Sequence, residues 1–149
     1  MKVTLLGVYD RGVISKERVH FRADVDLNLS FFIVLDSFWI DATNVQAGYR
    51  AGYWFAPHSV KKSENVVLYT RAGTPSTEEH SDGATYHFVF RGNTEAAYTT
   101  PKASAIVMEI NTWISTPAVP TVGSLLSGLA APPLPPMTLG DYFKSDLKK

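Results

Sequence analysis

The stretch YWFAPHSVKKSENVVLYT, residues 53–70, decides the fold. Its aromatic start places Tyr53 and Phe55 on one side and Trp54 on the other, as in a β-strand. The following proline lacks a backbone N–H, so strand pairing stops there, and the polar run HSVKKSEN predicts a solvent-exposed crossing. We expect Val60 to be the residue of this crossing that points inward. The apolar run VVLYT predicts the next strand, so the stretch indicates a chain passing between two sheets.

The same pattern extends over the first two thirds of the chain. The segment ERVHFRADVD alternates with a period of two, which predicts a strand with one dry and one wet face. The residues expected inward are Val19, Phe21, Ala23 and Val25, and those expected outward are His20, Arg22, Asp24 and Asp26. Further β-rich segments are separated by Gly, Pro, Asn and Asp turns. We therefore predict an all-β domain over residues 1–115, an antiparallel sandwich or barrel of about seven or eight strands.

The chain changes character at residue 116. Six of its nine prolines follow, which favour extended segments and exclude central strands. We predict a proline-rich docking tail over residues 116–149, ending in a short helix within TLGDYFKSDLKK. Residues 117–149 would dock on the chain's own domain or on another chain, and both alternatives stay open. The predicted partner-binding residues are Leu125, Leu126, Leu129, Pro133, Leu134, Pro136, Tyr142 and Phe143.

The segment APPLPPM within this tail carries a P-x-x-P arrangement. Such segments bind grooves lined by aromatic rings because little conformational entropy is lost on binding. We expect Trp39, Trp54 or Trp113 to supply the groove. The alternative is a rigid linker that holds the last helix at a distance.

Composition excludes several classes of function. The 149 residues carry 14 basic and 14 acidic side chains, and a net charge of zero argues against sequence-blind binding of nucleic acid. Low net charge also favours association with a partner or with a second copy. The absence of cysteine excludes disulfides and cysteine-ligated zinc. We expect no cofactor, no signal peptide and no membrane span, and we expect a cytoplasmic or other intracellular location.

From about Glu17 to Trp113 the order of features resembles the lamin-tail domain family, an Ig-like β-sandwich. The resemblance is carried by ERVHFRADVDLNLSFFIVLDS, by YWFAPHSVKKSENVVLYT, and by HFVFRG followed by AIVMEINTW. The sequence departs from the family where Phe31-Phe32 replaces its usual Gly-Trp and where Glu64-Asn65 replaces a turn glycine. A positive φ at Asn65 would preserve that turn. The resemblance implies a binding module without catalytic residues, and it identifies no partner.

Candidate chemistry centres on the four histidines. His58 and Glu64 lie close together in sequence, but the crossing predicts His58 to be a solvated loop residue. A metal site formed by His80, Asp82 and His87 is conceivable, although its spacing matches no known metal motif and His80 lies in a polar hairpin loop. We therefore predict no metal site.

Two further functions have candidate residues in the sequence. A small hydrolase could use His20 with Asp24, or His87 with a neighbour, although no nucleophile-elbow motif is present. Basic residues interleaved with aromatics could bind nucleic acid, and these are Arg50, Lys61, Lys62 and Arg71 with Tyr49, Tyr53, Trp54 and Tyr69. Nearby glutamates neutralise that patch, so we consider nucleic acid an improbable partner.

The sequence thus predicts a non-enzymatic β-sandwich that binds protein through its tail. The alternatives are a structural subunit of a larger phage-like assembly, a small hydrolase, and a nucleic-acid-binding module.

Overall fold

The computed structural model of the chain describes residues 1–46 and 51–115. These contain ten β-strands, which are β1 Val3–Tyr9, β2 Arg18–Ala23, β3 Leu27–Asn28, β4 Phe32–Phe38, β5 Gly52–Trp54, β6 Ser59–Val60, β7 Asn65–Arg71, β8 Ser76–Glu79, β9 Thr85–Asn93 and β10 Ala103–Glu109. One 3-10 turn, Leu29–Phe31, precedes β4, and the described residues contain no α-helix. The predicted tail, its terminal helix and all eight predicted partner-binding residues lie outside the described residues.

The strands form two main sheets and one short pair. The larger sheet has the order β1-β2-β7-β9-β8, the smaller has the order β10-β4-β5, and β3 pairs with β6. A single hydrophobic cluster draws on both main sheets, with Phe21 and Leu68 from the larger and Val34 and Val107 from the smaller. The prediction of an all-β fold is therefore confirmed, with the core lying between two sheets.

The prediction of a wholly antiparallel arrangement is wrong at one position. β7 and β9 are parallel neighbours, with Val66 opposite His87 and Leu68 opposite Val89. After β7 the chain runs back as β8 two strand positions away, and β9 then turns into the position between β7 and β8. β8 has the sequence STEE and is exposed along its whole length, whereas β9 is rich in aromatic residues. Apolar burial thus places β9 inside the sheet and β8 at its edge.

The predicted alternation of buried and more exposed residues is present throughout β2 and stops where the strand ends. Val19, Phe21 and Ala23 are buried, as expected. Val25 is 42% exposed, so its predicted inward position is wrong. The reason is that β2 ends at Ala23, where the period of two also ends. Val60 is buried, which confirms its predicted inward position in the crossing loop.

One buried carboxylate joins two loops and a strand. Glu17 is fully buried, and its two carboxylate oxygens accept four hydrogen bonds without a basic partner among the bonds described. The donors are the Thr70 hydroxyl at 2.8 Å and the backbone N–H groups of Gly12, Ala97 and Tyr98 at 2.8, 2.7 and 3.1 Å. This carboxylate therefore joins the β1–β2 loop, β7 and the loop that follows β9.

A buried ion pair joins the two main sheets. Arg91 on β9 donates to both carboxylate oxygens of Asp36 on β4, at 2.6 and 2.8 Å, and the Tyr98 hydroxyl donates to the same carboxylate at 2.6 Å. Burial and the Asp36 charge raise the pKa of Tyr98, so its phenol stays protonated. Burial lowers the pKa of Arg91, but the hydrogen bonds and charge of Asp36 outweigh it, so the net pKa is raised.

Candidate functional site

A pocket of about 330 Å³ opens beside the inner face of β9. Most of its wall is apolar, and its polar side chains belong to the crossing loop, β8 and β9. The lining residues are Leu29, Tyr53, Phe55, Ala56, Pro57, His58, Pro75, Ser76, Thr77, His87, Phe88 and Val89. An apolar pocket with a few convergent polar groups is the usual form of a small-molecule site.

Three polar side chains of this pocket, those of His58, Thr77 and His87, form a connected chain of hydrogen bonds with Glu64, which lies outside the lining. His87 Nε2 lies 2.8 Å from Glu64 Oε2. On the other side of the ring, His87 Nδ1 lies 2.9 Å from His58 Nε2 and 3.1 Å from Thr77 Oγ1. We call Glu64, His87, His58 and Thr77 the histidine cluster. Its members come from four different elements, so the tertiary fold assembles it.

Strand register brings His87 into the pocket. His87 lies opposite Val66, whose side chain is buried in the core, and paired residues on neighbouring strands share a face. His87 is therefore inward and 6% exposed, whereas its neighbours Tyr86 and Phe88 point to the outer face of the sheet.

The crossing loop brings His58 to the same place. The His58 backbone N–H donates to the Asn28 side chain, and the His58 carbonyl accepts from Leu29. The rings of His58 and His87 then meet edge to face, with centroids 4.9 Å apart. His58 is exposed and lies in a loop, as predicted, but it also faces the inward histidine of β9.

A tight turn positions Glu64. Its Oε2 accepts from the Lys61 backbone N–H at 2.8 Å. The turn contains a positive φ of 72° at Ser63, whereas Asn65 is the first residue of β7. The expected positive φ at Asn65 is therefore wrong, since the left-handed residue lies two positions earlier in the turn.

Hydrogen-bonding rules assign protons within the histidine cluster. An ionised carboxylate only accepts, so His87 Nε2 carries a proton that it donates to Glu64. In the neutral imidazole, His87 Nδ1 is then an acceptor for the Thr77 hydroxyl or for a proton on His58 Nε2. Burial raises the pKa of Glu64, but hydrogen bonds from the Lys61 backbone and from His87 outweigh this and lower its net pKa.

The link between Glu64 and His87 makes a testable prediction. We expect His87→Gln to raise the titration midpoint of the Glu64 carboxyl, measured by carbon-detected NMR, because a charge-assisted hydrogen bond is lost. The ionised form contributes stability above the unfolded glutamate pKa of about 4.3, and this contribution disappears as pH falls through the lower folded value. An unchanged midpoint would contradict the link, and His20→Gln is the matched control.

The three residues considered for a metal site, His80, Asp82 and His87, are not brought together. His80 lies in the β8–β9 hairpin with its ring 4.4 Å from that of Tyr86, on the opposite face of the sheet from His87. Asp82 accepts from the Ala84 backbone N–H within the same hairpin. Across residues 1–46 and 51–115, no three His, Asp or Glu side chains are placed to hold a metal ion.

The His20–Asp24 pairing is not supported by the structure. His20 Nε2 lies 3.1 Å from Asn65 Oδ1, and burial lowers the pKa of His20 more than this hydrogen bond raises it. Asp24 follows the end of β2 and accepts from the Thr4 hydroxyl at 2.8 Å. The other form of the hydrolase alternative, His87 with a neighbour, does have a geometric basis, because hydroxyl, imidazole and carboxylate follow one another in the histidine cluster. However, His58 Nε2 lies 2.9 Å from the same His87 nitrogen, so His58 and Thr77 compete for a hydrogen bond to that one atom.

The predicted nucleic-acid patch is not one surface in the described residues. Arg71 covers the rings of Tyr69 and Phe90 at 5.1 and 5.0 Å. Tyr53 lines the pocket, and Trp54 lies on the smaller sheet, on the face that points away from the core. Lys61 belongs to the turn at Glu64, and Arg50 and Tyr49 lie outside the described residues.

A second surface is apolar and faces away from the core. Strand pairing aligns Met108, Ile33 and Trp54 in one row and Ile106, Leu35 and Gly52 in the next. We call these two rows, with Trp113, the apolar outer face. Trp113 packs edge to face on Trp54 at 5.2 Å, and Trp54 Nε1 donates to the Ser30 carbonyl at 2.7 Å. Of the three tryptophans expected to line a groove, Trp54 and Trp113 meet, whereas Trp39 lies beyond the opposite end of β4.

Comparison of the chain with protein-family models, with curated proteins and with solved structures finds no match. Among the described residues, no helix is long and apolar enough to span a membrane.

Proposed function

We propose that the protein is a non-enzymatic interaction module whose apolar outer face binds the proline-rich segment APPLPPM, residues 131–137 of its own sequence. The observation that carries this proposal is the exposure of the face: Trp54 is 45% exposed, Met108 47% and Trp113 62%. Contiguous exposed apolar surface of this kind marks an interaction site. The lamin-tail resemblance and the Ig-like form of the sandwich belong to the same proposal, since they imply a binding module.

The chemistry of the face fits a proline-rich ligand. Such ligands bind between aromatic rings, and Trp54 and Trp113 meet edge to face with their rings at 88°. The Trp54 indole N–H already donates to Ser30, so the exposed part of this ring offers apolar surface. Proline rings pack on such surfaces with little loss of conformational entropy.

The number of residues between the apolar outer face and the segment APPLPPM favours binding within one chain. Ala131 follows Trp113 by 18 residues. By random-chain statistics, a linker of 18 residues has a root-mean-square end-to-end distance of about 25 Å, which corresponds to an effective concentration in the millimolar range. A weak site would therefore be filled by its own segment before a second copy binds at micromolar protein concentration. The alternative is that the segment APPLPPM comes from a second copy of the chain.

The three tryptophan indole N–H signals provide the test. We expect a full-length variant with Pro132, Pro133, Pro135 and Pro136 replaced by serine to shift the Trp54 and Trp113 signals in proton–nitrogen NMR spectra. Trp39 is an internal control, because it follows the far end of β4, whereas Trp54 pairs with Ile33 near the start of that strand. We expect its signal to stay in place.

Two outcomes of this experiment are decisive. If neither Trp54 nor Trp113 responds, or if Trp39 responds equally, the proposed ligand is wrong. Light scattering of the native chain at several concentrations separates the two sources. A monomer that shows the shifts indicates binding in cis, and a mass that rises with concentration and is lost in the serine variant indicates binding between copies.

A further inference from the structure

The pocket beside β9 is distinct from the apolar outer face. Tyr53 and Trp54 are consecutive residues of β5, and their side chains point to opposite sides of the smaller sheet. Tyr53 lines the pocket, whereas Trp54 belongs to the outer face. Docking of a segment on the outer face therefore leaves the pocket without an assigned role.

The pocket has the size and walls of a site for a small, mostly apolar molecule. Its volume of about 330 Å³ lies at the lower end of the range of roughly 300–1,000 Å³ for ligand pockets. Phe55, Pro57 and Val89 contribute apolar wall, and the histidine cluster supplies hydrogen-bonding groups. A ligand that fits would carry an apolar body and a single polar head group.

The charges of the histidine cluster indicate which head group it accepts. Two imidazoles share one carboxylate, because Glu64 is bonded to His87 and His87 is bonded to His58. With both imidazoles neutral the cluster carries the single negative charge of Glu64, and one proton added to His58 makes it neutral while His58 Nε2 still donates to His87 Nδ1. The other N–H of the protonated His58 and the Thr77 hydroxyl could then donate hydrogen bonds to a ligand carboxylate.

We propose that this pocket binds a small monocarboxylic acid with an apolar body, and that binding takes up a proton on the His58–His87 pair. Thr77 and His58 would contact the carboxylate, while Phe55, Pro57 and Val89 enclose the body.

Three other titratable groups near the pair enter the pH dependence. Glu64 faces His87 from the turn before β7, and its lowered pKa keeps it ionised near neutral pH. Lys61 lies in the same turn and acts on Glu64 rather than on the pocket wall. Tyr53 faces the pocket from β5, and burial raises the pKa of its phenol, which stays neutral.

Calorimetric titration of the full chain with 3-phenylpropionate tests the proposal. We expect a Kd on the order of 0.1–1 mM at pH 6, as befits a ligand of about eleven non-hydrogen atoms. Affinity should fall roughly tenfold by pH 8, because binding takes up a proton and free protons become scarcer as pH rises. The neutral amide 3-phenylpropanamide should bind more weakly at pH 6 and show no pH dependence. In buffers of different ionisation enthalpy, the carboxylate should show uptake of up to one proton.

Matched variants locate the site. His58→Gln should abolish the pH dependence and weaken carboxylate binding about tenfold at pH 6. His20→Gln, which removes a histidine from the outer face of the larger sheet, should leave both unchanged. Ala56→Trp, a substitution at an exposed lining position, should block binding even if the histidine variants perturb the fold.

The proposal is overturned if the acid and its amide bind equally with no pH dependence, or if the native chain binds neither at 10 mM. It is also overturned if the His20 and His58 variants lose affinity to the same extent. None of these results bears on the apolar outer face, whose test uses the tryptophan signals.

Discussion

Replacing Arg91 by methionine should lower the free energy of unfolding by about 3–5 kcal/mol. The guanidinium is 3% exposed and donates two hydrogen bonds to Asp36, which is itself 7% exposed. Methionine fills much of the volume but leaves the carboxylate buried with only the Tyr98 hydroxyl as a described donor. Because this pair joins β9 of the larger sheet to β4 of the smaller, the substitution should weaken the packing between the two sheets.

Urea denaturation followed by tryptophan fluorescence measures this effect. Arg22→Met is the matched control. The Arg22 side chain is 49% exposed, and its nitrogen lies as far as 3.9 Å from the Asp24 carboxylate. Exposed pairs contribute about 0–1 kcal/mol, so this variant should unfold close to the native midpoint. In the double variant Arg91→Met with Asp36→Leu, most of the lost stability should return, because no unpaired charge remains. Equal losses for the Arg91 and Arg22 single variants would contradict the assigned role of the buried pair.

Replacing Glu17 by alanine should lower the free energy of unfolding by at least about 3 kcal/mol. The substitution removes the acceptor of three backbone N–H groups and of the Thr70 hydroxyl. Each buried donor left without a partner costs about 1–3 kcal/mol, and water that enters the vacated volume recovers part of the sum. Glu17→Gln should also destabilise the protein, because its amide nitrogen cannot accept from the donors that face it.

Hydrogen exchange identifies where this loss occurs. In the glutamine variant, the amide hydrogens of Ala97 and Tyr98 should exchange faster than those of β4. Glu79→Ala is the control, since Glu79 is an exposed residue of the edge strand β8 and should change stability by less than about 0.5 kcal/mol. If the amides of Ala97 and Tyr98 keep native protection, the carboxylate of Glu17 does not hold this loop.

The sequence predicted the parts of the fold that depend on local pattern. The burial of Val19, Phe21 and Ala23 follows from alternation within one strand, and that of Val60 follows from an apolar residue in a polar loop. The parallel pairing of β7 and β9 was not predictable in this way. It depends on which of two successive strands takes the inner position, and that is a competition for burial across the whole sheet.

The candidate site was harder to predict than the fold, for a related reason. His87 turns inward because its partner in the register is Val66, and no local pattern gives a register between strands 21 residues apart. His58 was correctly predicted to lie in a loop, but its partner comes from β9. A usable signal was present in ATYHFVFRG, where the period of two separates His87 from Tyr86 and Phe88 and groups it with Val89.

The polar edge strand β8 disfavours aggregation through strand pairing between copies of this chain. Open sheet edges invite strands from other molecules, and charged side chains at the edge discourage such growth. All four residues of β8 are exposed, and Glu78 and Glu79 are consecutive at its end. A second β8 added antiparallel would bring these carboxylates near polar Ser and Thr side chains and would bury no apolar surface. The larger sheet therefore does not extend readily into a fibril at this edge, even though the net charge of the chain is zero.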